Sequence, residues 1–106
     1  MDKPTLQTLA HLDELGKEQL NKGEWEQAAE TFKQLLELDD HPVVRNNLAT
    51  AYYNSGQVSE AWDVLAPELA KDVISPFAWA LASMIAYDQG RERDAREYLE
   101  RAIFLF

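Results

Sequence analysis

Few residues in this 106-residue chain combine in a way that could do chemistry. His11 and Glu14 stand three apart, which puts two metal-type ligands on one helix face. Two ligands do not make a site, because zinc and di-iron centres take three or four. His41 precedes Pro42 and reads as a solvated residue in a break between helices. Gly16-Lys17 lacks the upstream glycine of a phosphate-binding loop and falls mid-helix, not at a helix start. Serine, histidine and aspartate are present, but no nucleophile sits in a strand-to-helix elbow. Without cysteine there is neither thiol catalysis nor a disulfide framework. Trp25, Trp62 and Trp79 read as core residues, not as a cofactor box. Arg91, Arg93, Arg96 and Arg101 alternate with Glu92, Asp94, Glu97 and Glu100, the pattern of a solvated, self-paired helix face. The expectation is no enzyme, no metal and no cofactor.

Charge and hydropathy narrow the partners. The formal net charge is -9, and the first forty residues carry ten acids against four bases. Nucleic acid and anionic membrane surfaces need basic patches, so both are excluded. The longest stretch without a charge, residues 73–87, contains Ser75, Pro76 and Ser83 and is too short to span a bilayer. No charged segment followed by an apolar run opens the chain. Apolar residues make up 46%, enough for a core. These features predict a soluble, cytoplasmic protein or fragment, with residues 1–106 forming one domain.

The elements that position these residues are announced by three copies of one stretch. Gly23-Glu24-Trp25-Glu26-Gln27-Ala28 recurs as Gly56-Gln57-Val58-Ser59-Glu60-Ala61 and as Gly90-Arg91-Glu92-Arg93-Asp94-Ala95. The glycines are 33 and then 34 residues apart, and so are the alanines. A fixed period of this size marks a stacked repeat. Each glycine ends one helix, since glycine takes the left-handed conformation without a Cβ clash. The pattern predicts six helices, at about 4–22, 25–38, 42–55, 58–71, 76–89 and 92–105. Pro4, Pro42 and Pro76 suit first turns, and Ser75 suits an N-cap. Pro67 lies inside the fourth helix, so a bend or break near Asp63–Pro67 is expected. Leu6, Leu9, Leu12, Leu15 and Leu20 recur at helical spacing in the first helix. Trp25, Ala28, Ala29, Phe32, Leu35, Leu36 and Leu38 mark the buried stripe of the second. Val44, Leu48, Ala51 and Tyr52 face inward in the third, and Ala61, Trp62, Leu65 and Leu69 in the fourth. The fifth is apolar all round, and Ala95, Tyr98, Leu99, Ala102 and Ile103 face inward in the sixth.

Set in register, the copies resemble the tetratricopeptide repeat family. Its pattern is W-x2-L-G-x2-Y, then A-x3-F, then P, over about 34 residues. The first copy reads Leu12-x2-Leu15-Gly16-x2-Gln19, then Ala28-x3-Phe32, then Asp40. The second reads Arg45-x2-Leu48-Ala49-x2-Tyr52, then Ala61-x3-Leu65. The third reads Trp79-x2-Ala82-Ser83-x2-Ala86, then Ala95-x3-Leu99. No copy matches everywhere, and the closing proline is displaced to Pro42 and Pro76. The match rests on a small residue in mid-helix (Gly16, Ala49, Ser83), the turn glycine, and a small residue early in the next helix. Larger side chains there would push the paired helices apart.

The resemblance covers about residues 9–106 and implies an all-α fold. Three tandem helix-turn-helix repeats, about 9–41, 42–75 and 76–106, would stack as a right-handed superhelix. It also implies a non-catalytic protein-binding module, whose first helices line a concave groove for an extended or helical peptide. Carried over by position, the groove comprises Asp13 and Lys17, then Asn46, Asn47, Thr50, Tyr53 and Asn54, then Phe77, Ala80, Met84, Tyr87 and Asp88. Asparagine there bonds a peptide backbone with both donor and acceptor. Some members clamp the terminal carboxylate of large chaperones with basic and Asn residues. The corresponding positions here are Asp13, Lys17, Asn47, Phe77 and Leu81, of which only Lys17 and Asn47 suit, so a chaperone-tail adaptor is not expected. A structural alternative is a self-assembly or spacer unit. The chain closes on the apolar run Ile103, Phe104, Leu105 and Phe106, whereas terminal repeats usually carry a polar outer face. Phe104, with Ile103 or Phe106, is expected to stay exposed and to serve as an association edge, for a homodimer or for a downstream helix in a longer parent.

Overall fold

The computed structural model describes residues 5–71 and 75–105. It contains six helices: α1 Leu6–Asn21, α2 Trp25–Leu38, α3 Pro42–Asn54, α4 Val58–Leu69, α5 Pro76–Asp88 and α6 Glu92–Leu105. Pro4 and Phe106 lie outside the described residues.

Local chemistry explains the helix ends. Thr5 Oγ1 accepts from the Thr8 N–H at 3.0 Å, and Ser75 Oγ accepts from the Ala78 N–H at 3.2 Å. His41 does more than sit in a solvated break: exposed as expected, it caps α3, its Nδ1 accepting from the Val43 N–H at 3.1 Å. The three inter-helix turns share one geometry. In the middle one, Gln57 N–H donates to the Tyr52 carbonyl at 2.8 Å and Gly56 N–H to the Tyr53 carbonyl at 3.1 Å. This pair of bonds closes a helix only if the glycine is left-handed, and Gly56 has φ +86°. Gly23 and Gly90 stand in equivalent bonds, at φ 74° and 78°.

Pro67 does not break α4. The helix runs unbroken from Val58 to Leu69, with Pro67 exposed near its end. The proline N–H is missing, but the next rungs close: Ala70 N–H donates to the Ala66 carbonyl at 3.0 Å. The ring removes the N–H that would reach the Asp63 carbonyl, so the helix continues with one rung missing.

Helices pack as antiparallel pairs, α1 with α2, α3 with α4 and α5 with α6, and the pairs stack through α2 on α3 and α4 on α5. The molecule measures 44 × 26 × 23 Å, one axis long, as three stacked pairs require. The core is shared between neighbours. Phe32, Leu35, Val44 and Leu48 interlock between α2 and α3, and Leu65, Trp79, Leu81 and Ile85 between α4 and α5. Each pair therefore buries its stripe only against the next.

Several apolar residues expected inside are not. Leu6 is 85% exposed, since no helix precedes α1 among the described residues, and Leu38, the last residue of α2, is 45% exposed. Leu99 and Ile103 lie on the open side of α6, where no described helix follows. Trp79 is buried, but Trp25 and Trp62 are only half-buried. Trp62 stacks on Tyr98 at 5.9 Å between centroids, and Tyr98 meets Trp79 at 5.7 Å. The arginine series is not purely a self-paired face either. Arg91 lies 4.3 Å over the Trp62 ring and Arg101 4.7 Å over Trp79, closing this aromatic row at both ends. Self-pairing does occur along this face, Arg91 with Asp94 at 3.3 Å and Arg93 with Glu97 at 3.7 Å.

Candidate functional site

On α5, Ala80, Ser83, Met84 and Tyr87 fall at i, i+3, i+4 and i+7, so they share one face. The Ser83 hydroxyl donates to the Ala95 carbonyl at 2.8 Å and ties α5 closely to α6. Above this floor lies a hollow of about 690 Å³, walled by Tyr53 of α3, by Met84, Tyr87 and Asp88 of α5, and by Glu92, Arg96 and Leu99 of α6. Met84 is 49% exposed and Tyr87 67%, so both can meet a ligand without rearrangement. The polar groups are few and sit at the rim. Burial, and then the hydrogen bond and charge of Asp88, push the Tyr53 phenol above its ordinary pKa.

A second hollow, of about 540 Å³, adjoins the first across Ala80 and Leu99 and is lined by Pro76, Phe77, Ala102 and Ile103. Phe77 is 54% exposed. Val43, one repeat earlier at the same position, is 50% exposed, so this position is open by construction. A third hollow, of about 410 Å³, lies at the other end of the stack among α1, α2 and α3. It contains Lys17, whose ammonium is 2.8 Å from the Asp13 carboxylate.

Of the expected groove residues, Tyr53, Ala80, Met84 and Tyr87 therefore share one hollow, Phe77 lines its neighbour, and Lys17 stands apart in the third. Asn46, Asn47, Thr50 and Asn54 line none of these three. Thr50 Oγ1 donates to the Asn46 carbonyl at 2.8 Å within α3. The Asn46 side-chain oxygen is buried without a hydrogen-bond partner among the described residues. Asn47 is half-buried and Asn54 exposed. Of the expected association edge, Ile103 is 66% and Phe104 91% exposed. Sequence reasoning missed the contribution of α6. The signal was available: Leu99 repeats the position of Phe32 and Leu65, and its wall role follows from having no covering helix. Among the described residues no three His, Cys, Asp or Glu cluster to hold a metal ion, and no helix is long and apolar enough to cross a membrane.

Residues 78–103, which span most of α5 and α6, match a protein family described as Tetratricopeptide repeat. The chain is built of three tetratricopeptide-like repeats. Solved structures align with it almost end to end. The first TPR of Spaghetti (RPAP3), bound to the HSP90 peptide SRMEEVD, aligns with TM-score 0.88 at 19% identity, over 99% of this chain and 84% of that one. PcrH in complex with the chaperone binding region of PopB aligns with TM-score 0.90 at 22% identity, over 99% and 86%. The Yersinia enterocolitica type III secretion chaperone SycD, in complex with a peptide of the translocator YopD, aligns with TM-score 0.90 at 23% identity, over 99% and 81%. At these identities the likeness is one of fold. No curated protein matches the chain in sequence. In tetratricopeptide terms, Gly16, Ala49 and Ser83 are the small residues of each first helix. All three are buried against the second helix of their own repeat.

Proposed function

We propose that the chain is a non-catalytic protein-binding module, acting in the cytoplasm as one three-repeat unit over residues 1–106. It takes an apolar-anchored peptide or helix on the face formed by α3, α5 and α6. The observation that carries this reading is the open hollow walled by Met84, Tyr87 and Leu99, with Tyr53, Asp88, Glu92 and Arg96 at its rim. A concave apolar surface with a few polar groups is the usual form of a binding site. The similar folds support the same mode, since the RPAP3, PcrH and SycD structures each hold a peptide or binding region of another protein.

The partner is not an acidic chain terminus. Two of the five clamp positions are Phe77 and the buried Leu81, and Asp13 already engages Lys17 at 2.8 Å. A strongly acidic ligand would also meet a chain of net charge -9, and its affinity would fall as salt is lowered.

The test is a selection of displayed peptides on the immobilised chain, with the winners and SRMEEVD each mapped by NMR. Selected peptides should carry apolar anchors and shift Tyr53, Met84 and Tyr87. Met84→Glu should weaken them by at least about tenfold, the range of a central contact residue. SRMEEVD should bind weakly or not at all. Tight binding of SRMEEVD at Lys17 and Asn47 would overturn this reading. So would winners that shift only Lys33, Glu37 or Arg93, on the opposite side.

A further inference from the structure

The chain contains its own control for what its last repeat lacks. Phe32, Leu65 and Leu99 occupy one repeat position. The first two are fully buried, yet Leu99 is 47% exposed. Leu36, Leu69 and Ile103 occupy another. Leu36 is half-buried and Leu69 9% exposed, against 66% for Ile103. In the first two repeats the following pair supplies the cover, α3 over α2 and α5 over α4. Phe104 is a different case. Its counterparts Glu37 and Ala70 are exposed too, so that position faces solvent throughout.

We propose that a second copy of this chain covers the α5–α6 flank, in a twofold dimer centred on Leu99 and Ile103. The opposite end of the stack cannot serve as the cover. The helix that seats on a preceding repeat does so with Val44 and Ala51 in α3, and with Ala78 and Ile85 in α5, all buried. The same positions in α1 are His11 and Glu18, both exposed. Seating α1 of one copy on α6 of another would strip water from His11 and from the exposed Glu18–Lys22 ion pair, whose charges are 2.7 Å apart, and burying such groups costs free energy. Head-to-tail stacking is thereby disfavoured, and the flank that remains for pairing is the apolar one itself, which closes by self-complementarity.

Charge favours the same arrangement. Residues 76–106 carry five acids and four arginines, whereas residues 1–75 carry fourteen acids and six bases. Meeting through the third repeat keeps the acid-rich repeats at the far ends of molecules 44 Å long. The screening length at physiological salt is about 8 Å, so their repulsion is largely lost. The flank itself presents Arg96 against Asp88 and Glu92, so in a twofold pairing each arginine can meet an acid of the other copy.

Sedimentation equilibrium on the whole chain tests this. The wild type should reach twice its 12.1 kDa mass as concentration rises. Ile103→Glu should raise the dissociation constant at least about a hundredfold, the loss expected of a central apolar contact turned charged. Phe104→Glu should dimerise like the wild type. Ile103 is exposed in the monomer, so its variant should melt as the monomeric wild type does. A wild type that stays at 12.1 kDa at about 0.5 mM, far above a micromolar dissociation constant, overturns the proposal. A dimer that survives Ile103→Glu, or one that Phe104→Glu alone abolishes, overturns it as well. The dimer would bury Leu99, Glu92 and Arg96, which also wall the peptide hollow, so dimer and peptide compete for this face. Peptide binding at Met84 and Tyr87 is therefore read on the monomeric Ile103→Glu variant, and its outcome there is independent of whether the wild type dimerises.

Discussion

The ring of Phe32 occupies the space that a side chain on Gly16 would need. A Cβ placed on Gly16 would lie 2.6 Å from Phe32 Cζ, well inside contact distance, and the Phe32 ring is fully buried. The other repeats balance volume differently: Ala49 stands with Leu65, and Ser83 with Leu99. The largest partner goes with the smallest residue, so helix separation is held by the sum of the two.

Two effects of opposite sign follow for Gly16→Ala. Alanine is the better helix former by about 1 kcal/mol, while overpacking a full core costs about 1–3 kcal/mol. The clash should win, because a buried ring has nowhere to move, and the urea midpoint should fall. In a Phe32→Leu background the same substitution should raise the midpoint, as the space is then free. A fall of equal size in both backgrounds would mean that the two residues do not compete.

Gly56 tests the turn alone. Nothing lies within 4 Å of a Cβ placed there, so a side chain meets open space and the φ of +86° is its whole difficulty. Gly56→Val should destabilise by roughly 1 kcal/mol or more, since a β-branched residue resists the left-handed region. Gly56→Asn should lose less, asparagine being the next most tolerant residue at such an end. Equal urea midpoints for all three would contradict the assigned conformation.

Arg45 and Glu68 form the polar exception in the core. Glu68 is 3% exposed and occupies the position of Leu35 and Ala102. Arg45, at the position of Leu12 and Trp79, lies 3.5 Å from it, donates to the Val64 carbonyl at 3.0 Å, and holds Asp40 through two bonds of 2.8 and 3.0 Å. Arg45→Leu should destabilise by about 2–4 kcal/mol, because it strands a buried carboxylate. That range is lower than for a fully enclosed pair, since Lys71 remains 3.4 Å from Glu68 and Arg45 is partly exposed. Arg45→Leu with Glu68→Leu should recover most of the loss, as apolar replacement of such pairs often does. If the double variant were no better than the single one, the pair would not be coupled.

The hydrogen bond from Arg45 also holds the Asp40 carboxyl below the ordinary aspartate range. A lowered carboxyl stabilises the fold above its unfolded value, near pH 4, and that contribution disappears as pH falls through the lowered value. Asp40→Asn should therefore flatten the acid limb of the stability profile in that window and leave the neutral region's slope unchanged. An acid limb identical to wild type would show that the bond does not persist in solution.

At the site, the Tyr53 phenol is raised first by burial and then by Asp88. A raised acid stabilises the fold below its unfolded value, about pH 10, and that contribution is lost as pH rises through the raised one. Asp88→Ala should bring the phenol part of the way down, with burial holding the remainder. The measurement is phenolate absorbance against pH, with Tyr53→Phe subtracted to isolate this tyrosine from the other three. No shift on removing Asp88 would place that carboxylate away from the hydroxyl.

The helices and their ends were legible in the sequence because they depend on residues a few positions apart. The glycine turns, Ser75 with Pro76, and the small residues Gly16, Ala49 and Ser83 each act through local geometry. The 33- and 34-residue spacing then set the stacking, since a two-helix unit cannot bury its stripe alone. Part of the site was legible for the same reason: Ala80, Met84 and Tyr87 share a face by helical period.

What periodicity could not supply was the neighbour. Phe32 and Leu65 are fully buried and Leu99 is half in solvent at the same repeat position, although all three are large and apolar. Glu68 is buried where the pattern asks for an apolar residue, because Arg45 reaches it from the facing helix. Arg91 and Arg101 lie on Trp62 and Trp79, not only on their own helix's acids. Pro67 stays inside α4, where the local rule expects a bend or break, because the helix is held by the packing of Ala61, Leu65 and Leu69 against its neighbours. Burial and pairing belong to the surroundings that a residue meets in three dimensions, and those surroundings come from a different repeat.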